Sequence, residues 1–254
     1  MSDAETPRDW DASTYHQVAH PQEEWGREVI ERIGLAGSEA VLDAGCGSGR
    51  VTKLLVERLG DGRVVGVDAS PSMIAKARET LGDDVELIVS DLLDLELSEP
   101  VEIVFSNATF HWILDHRRLF ERLHAALVPG GRIEAQCGGI GNTEEFLNSV
   151  ENVNGDERFA PYLRGITSVW NFASPGDTEM RLQDAGFGEA RCWLEDRPVE
   201  PRDPRGFLEA VCLGPHLDRL PEELRGPYMD AALEVLPRPL MLDYVRLNIS
   251  ASRA

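Results

Sequence analysis

The stretch Val41-Leu42-Asp43-Ala44-Gly45-Cys46-Gly47-Ser48-Gly49 decides the fold. A short apolar run breaks into a turn with glycines at alternate positions, and helix-forming sequence follows from Arg50 to Leu59. Strand, glycine turn and helix in that order suit a nucleotide-like ligand. The glycines take positive φ and leave no Cβ between the ligand and the main-chain N–H groups. The helix start turns its own unpaired N–H groups toward the same place.

The spacing narrows the ligand. A dinucleotide turn follows G-x-G-x-x-G/A, but counted from Gly45 the sixth residue here is Arg50, and the third glycine comes at Gly49. Asp43 stands two residues before the first glycine, where a carboxylate would repel a pyrophosphate and suits a cation. The pattern D-x-G-x-G-x-G resembles motif I of the class I S-adenosylmethionine (SAM) methyltransferases, whose ligand carries an ammonium and a sulfonium. The resemblance implies SAM as cofactor and S-adenosylhomocysteine as product.

Outward from the turn the chain alternates. Strands are expected at Ala40–Asp43, Arg63–Val67, Val85–Val89, Val101–Ser106 and Arg132–Gln136, with helices at Val51–Leu59, 71–81 and 115–127 between them. Ser70 followed by Pro71 reads as an N-cap and first helical residue. An amphipathic helix over 21–36 precedes the first strand and stops at Gly34. Apolar strands separated by helices mean a parallel sheet covered on both faces. After Gly138 the alternation stops. Helical pieces (Thr143–Val150, Tyr162–Trp170) precede a resumed helix at 177–185 and strand at Glu189–Glu195. A second helical insertion spans 203–236, and alternating Leu242–Ser250 reads as the last strand. The expected fold is α/β, a Rossmann-like doubly wound seven-stranded sheet with its last strand antiparallel and helical lid insertions. The expected division is an N-terminal helical segment over the SAM site (1–36), the SAM-binding core (37–138), a lid insertion (139–175), more core (176–202), a second insertion (203–238) and the C-terminal strand (239–254).

Ligands of such sheets bind outside the carboxyl ends of the strands. Asp43, Gly45, Gly47 and Gly49 cradle the amino-acid end of the cofactor. Asp68, closing the second strand beside Ala69, can accept both ribose hydroxyls. Asp91 can accept from the adenine amino group, with Leu92 offering an apolar face or a backbone N–H. Asn107, after the fourth strand, can set its carbonyl near the ammonium or the methyl group.

Taken with Trp10 and Tyr15 before the sheet and Asn107-Ala108-Thr109-Phe110-His111-Trp112 after the fourth strand, these residues look like the trans-aconitate and juvenile hormone acid methyltransferases. That resemblance implies an N-terminal aromatic segment (Trp10, Tyr15) folding over SAM, Trp112 lining the acceptor pocket, and Gln17 near a carboxylate-binding position. An anionic carboxylate acceptor needs no base, only donors such as the Trp112 N–H, Gln17, His111, Arg164 or Arg205. A hydroxyl acceptor needs a base, for which His111 is best placed and His216 second.

Composition excludes other classes. With 45 Asp and Glu against 25 Lys and Arg, the net charge is −20. That argues against a nucleic-acid grip. No apolar run is long enough to span a membrane, the first residues lack a signal-peptide core, and Cys46, Cys137, Cys192 and Cys212 show no metal spacing. The expected protein is cytoplasmic, metal-free, a monomer or homodimer, and methylates a small molecule, most simply a carboxylic acid on oxygen. The alternatives are a hydroxyl, nitrogen or carbon acceptor in a natural-product or quinone pathway, or a non-catalytic SAM-binding subunit.

Overall fold

A computed structural model describes residues 20–83 and 85–254. Strands β1 (Ala40–Ala44), β2 (Arg63–Asp68), β3 (Glu86–Val89), β4 (Val101–Asn107), β5 (Leu127–Gly138), β6 (Phe187–Asp196) and β7 (Val245–Arg253) form one sheet. Their order is β3-β2-β1-β4-β5-β7-β6. The first five pair in parallel, and β7 runs antiparallel to both its neighbours. The last strand is therefore the single reversed one, as the sequence leads one to expect.

Helices α1 (His20–Ile33) and α2 (Arg50–Arg58) cover one face, where Val29, Ile30 and Leu55 pack on Val41, Ile103 and Phe105. Helix α3 (Pro71–Leu81) buries Met73, Ile74 and Ala77. On the opposite face α4 (His116–Ala126) sets Leu119, Phe120 and Leu123 against Leu42, Val104 and Ile133. Helix α7 (Pro175–Asp184) adds Leu182 to the same core. The central strands are buried on both faces, which is why they read as unbroken apolar runs.

Several helix starts are written in the sequence as a capping residue followed by proline. The Ser70 hydroxyl accepts from the Met73 N–H at 3.2 Å. The Ser174 hydroxyl accepts from the Asp177 N–H at 3.1 Å, before Pro175. The pattern works because proline fixes φ and needs no partner for the N–H it lacks.

Some boundaries differ from the expected ones. Strand β5 begins at Leu127, ahead of Pro129-Gly130-Gly131, because Leu127 pairs with Val101 and a register shift then carries the strand on. Strand β7 begins at Val245 and runs to Arg253; Leu242 makes only an isolated bridge to Val199. The expected helix Tyr162–Trp170 is broken, with α6 (Ala160–Leu163) followed by a 3₁₀ turn at Ile166–Val169. Gly165 between them has φ 73°, which a helix does not tolerate.

The segments after β5 and after β6 share one hydrophobic core. Phe146, Val150 and Val153 of α5 (Glu144–Asn154) and Phe159 pack with Phe207, Leu208, Tyr228 and Met229. Those partners belong to α8 (Pro204–Phe207), the π-helical turn Leu208–Cys212 and α10 (Glu222–Val235), with α9 (Gly214–Arg219) between. Two insertions far apart in sequence thus build one cap. It is tied to the sheet by Asp243, just before β7, whose carboxylate accepts from the Glu145 N–H at 2.8 Å and the Phe146 N–H at 3.3 Å. Thr143, the N-cap residue of α5, makes no side-chain cap. Asp243→Ala should therefore cost about 1–2 kcal/mol, the loss typical of a helix cap. A urea transition with an unmoved midpoint would show that Asp243 does not anchor the cap.

Candidate active site

The glycine turn is held from below by a single carbonyl. Val67 O, at the end of β2, accepts from Gly45 N at 2.8 Å and Cys46 N at 3.0 Å. Gly45, Gly47 and Gly49 have φ of 89°, 53° and 77°. A Cβ on Gly45 would lie 2.1 Å from Thr109 Oγ1, and one on Gly49 would lie 2.9 Å from Leu81 Cδ1. A Cβ on Gly47 would meet nothing within 4 Å, so that glycine presents open backbone to the cavity. Two glycines permit close packing and the middle one faces the ligand space.

Three carboxylates stand at the strand ends. Asp43 is buried, 1% exposed, and its Oδ2 accepts from Thr52 Oγ1 at 2.7 Å. Burial raises its pKa to about 7; the Thr52 hydrogen bond works against that rise, and the charge of Asp68 adds to it. Asp68 braces the turn, accepting from Gly47 N and Ser70 N, both at 2.9 Å. Asp91 accepts from Leu93 N at 2.8 Å and opens the 3₁₀ turn Leu92–Asp94. Asp68, Ala69, Asp91 and Leu92 all line one cavity of about 850 Å³. The structure thus brings together these expected residues with Gly45, Gly47 and Asn107.

Beside Asp43 lies a smaller recess of about 60 Å³, between α1 and the turn. Asn107 Nδ2 donates to the Gln22 carbonyl at 2.7 Å, which turns Asn107 Oδ1 the other way. Asn107 Oδ1, Gln22 Oε1 and Arg50 Nη1 are buried with no hydrogen-bond partner among the described residues. All three residues line this recess with Asp43. Such unmade bonds are costly in a closed protein interior. Two acceptors and a carboxyl beside one cationic donor are the complement of an α-amino acid zwitterion. Gln22 and Arg50 carry no motif, and only the packing of α1 on the turn brings them beside Asp43.

The far end of the large cavity is aromatic. His111, Trp112, Trp170 and Phe172 line it, with ring centroids 5.3 Å apart for His111–Trp112, 5.9 Å for His111–Phe172 and 6.0 Å for Trp170–Phe172. The Gly138 N–H donates to His111 Nδ1 at 3.3 Å. That nitrogen must therefore be bare, and the ring proton sits on Nε2. Burial, and then the charges of Arg246 and His116, hold the His111 pKa well below the usual histidine range. Arg246 and Tyr244 line the same cavity.

Other sequence candidates fall elsewhere. Arg205 is paired with Asp230 and Glu209 on the surface, and Arg164 is exposed. His216 stacks on Tyr228 at 5.8 Å behind Trp170, and burial lowers its pKa to about 4. Trp10, Tyr15 and Gln17 lie outside the described residues.

Fold and site together define a nucleoside-binding transferase of the doubly wound class. Residues 41–131 match a methyltransferase domain family. The trans-aconitate 2-methyltransferase of Methylobacterium nodulans is 32% identical over 258 residues, covering 96% of this chain and 98% of that one. The enzyme of the same name from Escherichia coli is 35% identical over 177 residues, 68% of this chain and 70% of its own. Among solved structures, the YcgJ protein of Bacillus subtilis superposes with TM-score 0.63 at 15% identity, covering 91% of this chain and 98% of that chain. A phosphoethanolamine N-methyltransferase of Haemonchus contortus, solved with S-adenosylhomocysteine, gives 0.60 at 21% over 91% of this chain and 52% of its own. The chain belongs to the class I SAM-dependent methyltransferases, in the trans-aconitate methyltransferase group. Its cofactor is SAM, and the unsatisfied donor and acceptors around Asp43 fit the amino-acid end of that molecule.

The raised Asp43 pKa gives two opposite expectations. In the ligand-free protein the native state holds a proton that the unfolded chain, near 3.8, releases, so this group removes stability as pH rises toward about 7. A cationic ammonium needs the ionised form, so SAM affinity should climb between about pH 6 and about pH 8, with proton release on binding. Asp43→Asn should stabilise the ligand-free protein at about pH 8 while weakening SAM at least about tenfold. Calorimetry in two buffers of different ionisation enthalpy, with thermal melts, checks both; pH-independent SAM affinity in the parent protein would refute the assignment.

Proposed function

We propose that this enzyme methylates a carboxylate oxygen of a small organic acid. The observation that carries the reading is the state of His111. With Nδ1 accepting from the Gly138 N–H, the ring offers a proton from Nε2 and cannot take one there, so the histidine lining the acceptor end is a donor and not a base. A carboxylate is already ionised at neutral pH and asks for donors alone. The relatives named trans-aconitate 2-methyltransferase support the same acceptor class. The rival reading, a hydroxyl, nitrogen or carbon acceptor with His111 as base, would need the other tautomer against the Gly138 N–H.

In this reading Asp43, Asn107 Oδ1 and Gln22 Oε1 receive the ammonium of SAM, and Arg50 takes its carboxylate. Asp68 accepts from the ribose hydroxyls, Asp91 and Leu92 hold the adenine, and Gly47 keeps the backbone open to the ligand while Gly45 and Gly49 let the turn pack on Thr109 and Leu81. When bound, SAM supplies a methyl carbon activated by a sulfonium. The protein supplies alignment: in-line displacement depends on holding the two reactants together, which is worth several kcal/mol of barrier. His111 Nε2–H and Trp112 orient the acceptor, and the helical cap keeps water out. A negative chain with four buried free cysteines suits a reduced cytoplasmic compartment and a small acceptor rather than nucleic acid, acting as a monomer or homodimer.

With methyl-labelled SAM and a panel of carboxylic acids and phenols, the product label should leave as methanol under mild base. His111→Asn, which keeps an acceptor for the Gly138 N–H, should hold kcat within about tenfold, whereas loss of a general base costs about 10²–10⁴-fold. Base-stable label together with a collapse of kcat would overturn the carboxylate reading.

A further inference from the structure

Strands β5 and β7 carry a buried polar ladder on the face beneath α1. Gln136 stands opposite Asn248, Glu134 opposite Ser250, and Gly138 opposite Arg246. The rungs are bonded: Ser250 Oγ donates to Glu134 Oε1 at 2.6 Å, and Gln136 Nε2 donates to Asn248 Oδ1 at 2.9 Å. Arg32 of α1 closes the outer end, with Nε on Glu134 Oε2 at 2.7 Å and Nη1 on Asn248 Oδ1 at 3.0 Å. At the inner end Arg246 Nε donates to Gln136 Oε1 at 3.4 Å, and its guanidinium carbon lies 4.4 Å from the Trp25 ring centroid.

Arg246 is 1% exposed, yet it lines the large cavity beside His111 and Tyr244. The register sets it beside His111: the residue opposite is Gly138, where a Cβ would run into Phe172 of the same cavity wall at 2.8 Å, and the Gly138 N–H is the donor that sets the His111 tautomer. Sequestering a guanidinium inside a protein costs several kcal/mol. Here the ladder and the Trp25 face fix it at the acceptor end of a site on a chain of net charge −20. An anion gains nothing from the overall field of such a chain, so its recognition must be local. Arginine is the side chain suited to a carboxylate, through paired N–H donors.

Which carboxylate Arg246 holds follows from the chemistry. The attacking carboxylate loses its charge as the ester forms. A fixed cation on that group would favour the ground state over the transition state and slow transfer. A cation on a carboxylate that does not react binds both states equally. We propose that Arg246 anchors a second, non-reacting carboxylate of the acceptor, so that the enzyme selects di- and tricarboxylic acids over monocarboxylic ones, with Gln136 as the positioning residue. This rests on the carboxylate reading given above.

The test uses trans-aconitate as the polycarboxylate probe and crotonate as the monocarboxylate probe. Arg246→Gln should raise KM for trans-aconitate by about thirtyfold or more, leave kcat within about threefold and S-adenosylhomocysteine affinity unmoved, and narrow the preference for trans-aconitate over crotonate in kcat/KM by about tenfold or more. Calorimetric binding of trans-aconitate to the S-adenosylhomocysteine-loaded protein should fall in parallel. Arg246→Lys and Gln136→Met keep the charge and disturb the fork or its support. They should give intermediate rises in KM, and they decide the matter should Arg246→Gln not fold. If the parent protein binds and methylates trans-aconitate and the variants do so with unchanged KM, Arg246 is not the anchor while the carboxylate reading stands. If the parent protein neither binds trans-aconitate nor labels any carboxylic acid, both fall together.

Discussion

A carboxyl group buried at the end of the first strand is the constraint around which the site is built. Asp43 has one hydrogen-bond partner among the described residues, the Thr52 hydroxyl, and a second acid, Asp68, close enough to raise its pKa. Nothing in folding favours that arrangement, because a sequestered carboxyl without a cation costs stability or takes up a proton. The glycine turn places Asp43, Asn107 and Gln22 around one recess, the arrangement proposed above to receive a single cation. Strain of this kind is maintained by the rigid sheet and belongs to function, not to stability.

The fold was legible in the sequence because its signals are local. Glycines that need positive φ, Ser-Pro helix starts and unbroken apolar strands each report on a few neighbouring residues, and sheet order follows from them through connection rules. That Asp68, Asp91 and Asn107 share one cavity was legible for the same reason: all three mark strand ends. The boundaries that shifted are those set by partners distant in sequence. Leu127 belongs to β5 because Val101 waits for it, and Leu242 is left outside β7 because only Val199 meets it.

The acceptor end was less legible, and for a definite reason. Alternation along the last strand ordinarily means one buried face and one wet face. In β7 the polar face, Arg246 and Asn248, is as buried as the apolar one, because α1 lies over it. No count of apolar and polar residues distinguishes a wet polar face from a covered one. Arg164 and Arg205 sit in the helical insertions and point to the surface, whereas Arg246, in a strand, is the arginine that the fold buries against the cavity. His111 was found by its motif, but its role turns on which nitrogen accepts from Gly138, a fact of tertiary packing.

Under the proposed function these two ends reconcile a strongly acidic chain with an anionic acceptor. The strand-borne charges of the cavity fall in two groups. Asp43, Asp68 and Asp91 gather at the end proposed for the sulfonium nucleoside, and the guanidinium of Arg246 stands with His111 at the end proposed for the acceptor. The division is enforced by the sheet, since the acids close β1, β2 and β3 on one side of the crevice and the arginine comes from the reversed strand β7 on the other. Under the proposed function this arrangement offers a reactant pair of opposite charge one orientation, methyl donor toward acceptor oxygen. Surface charge is then free to vary, because within the cavity the nearby fixed charges outweigh distant screened ones.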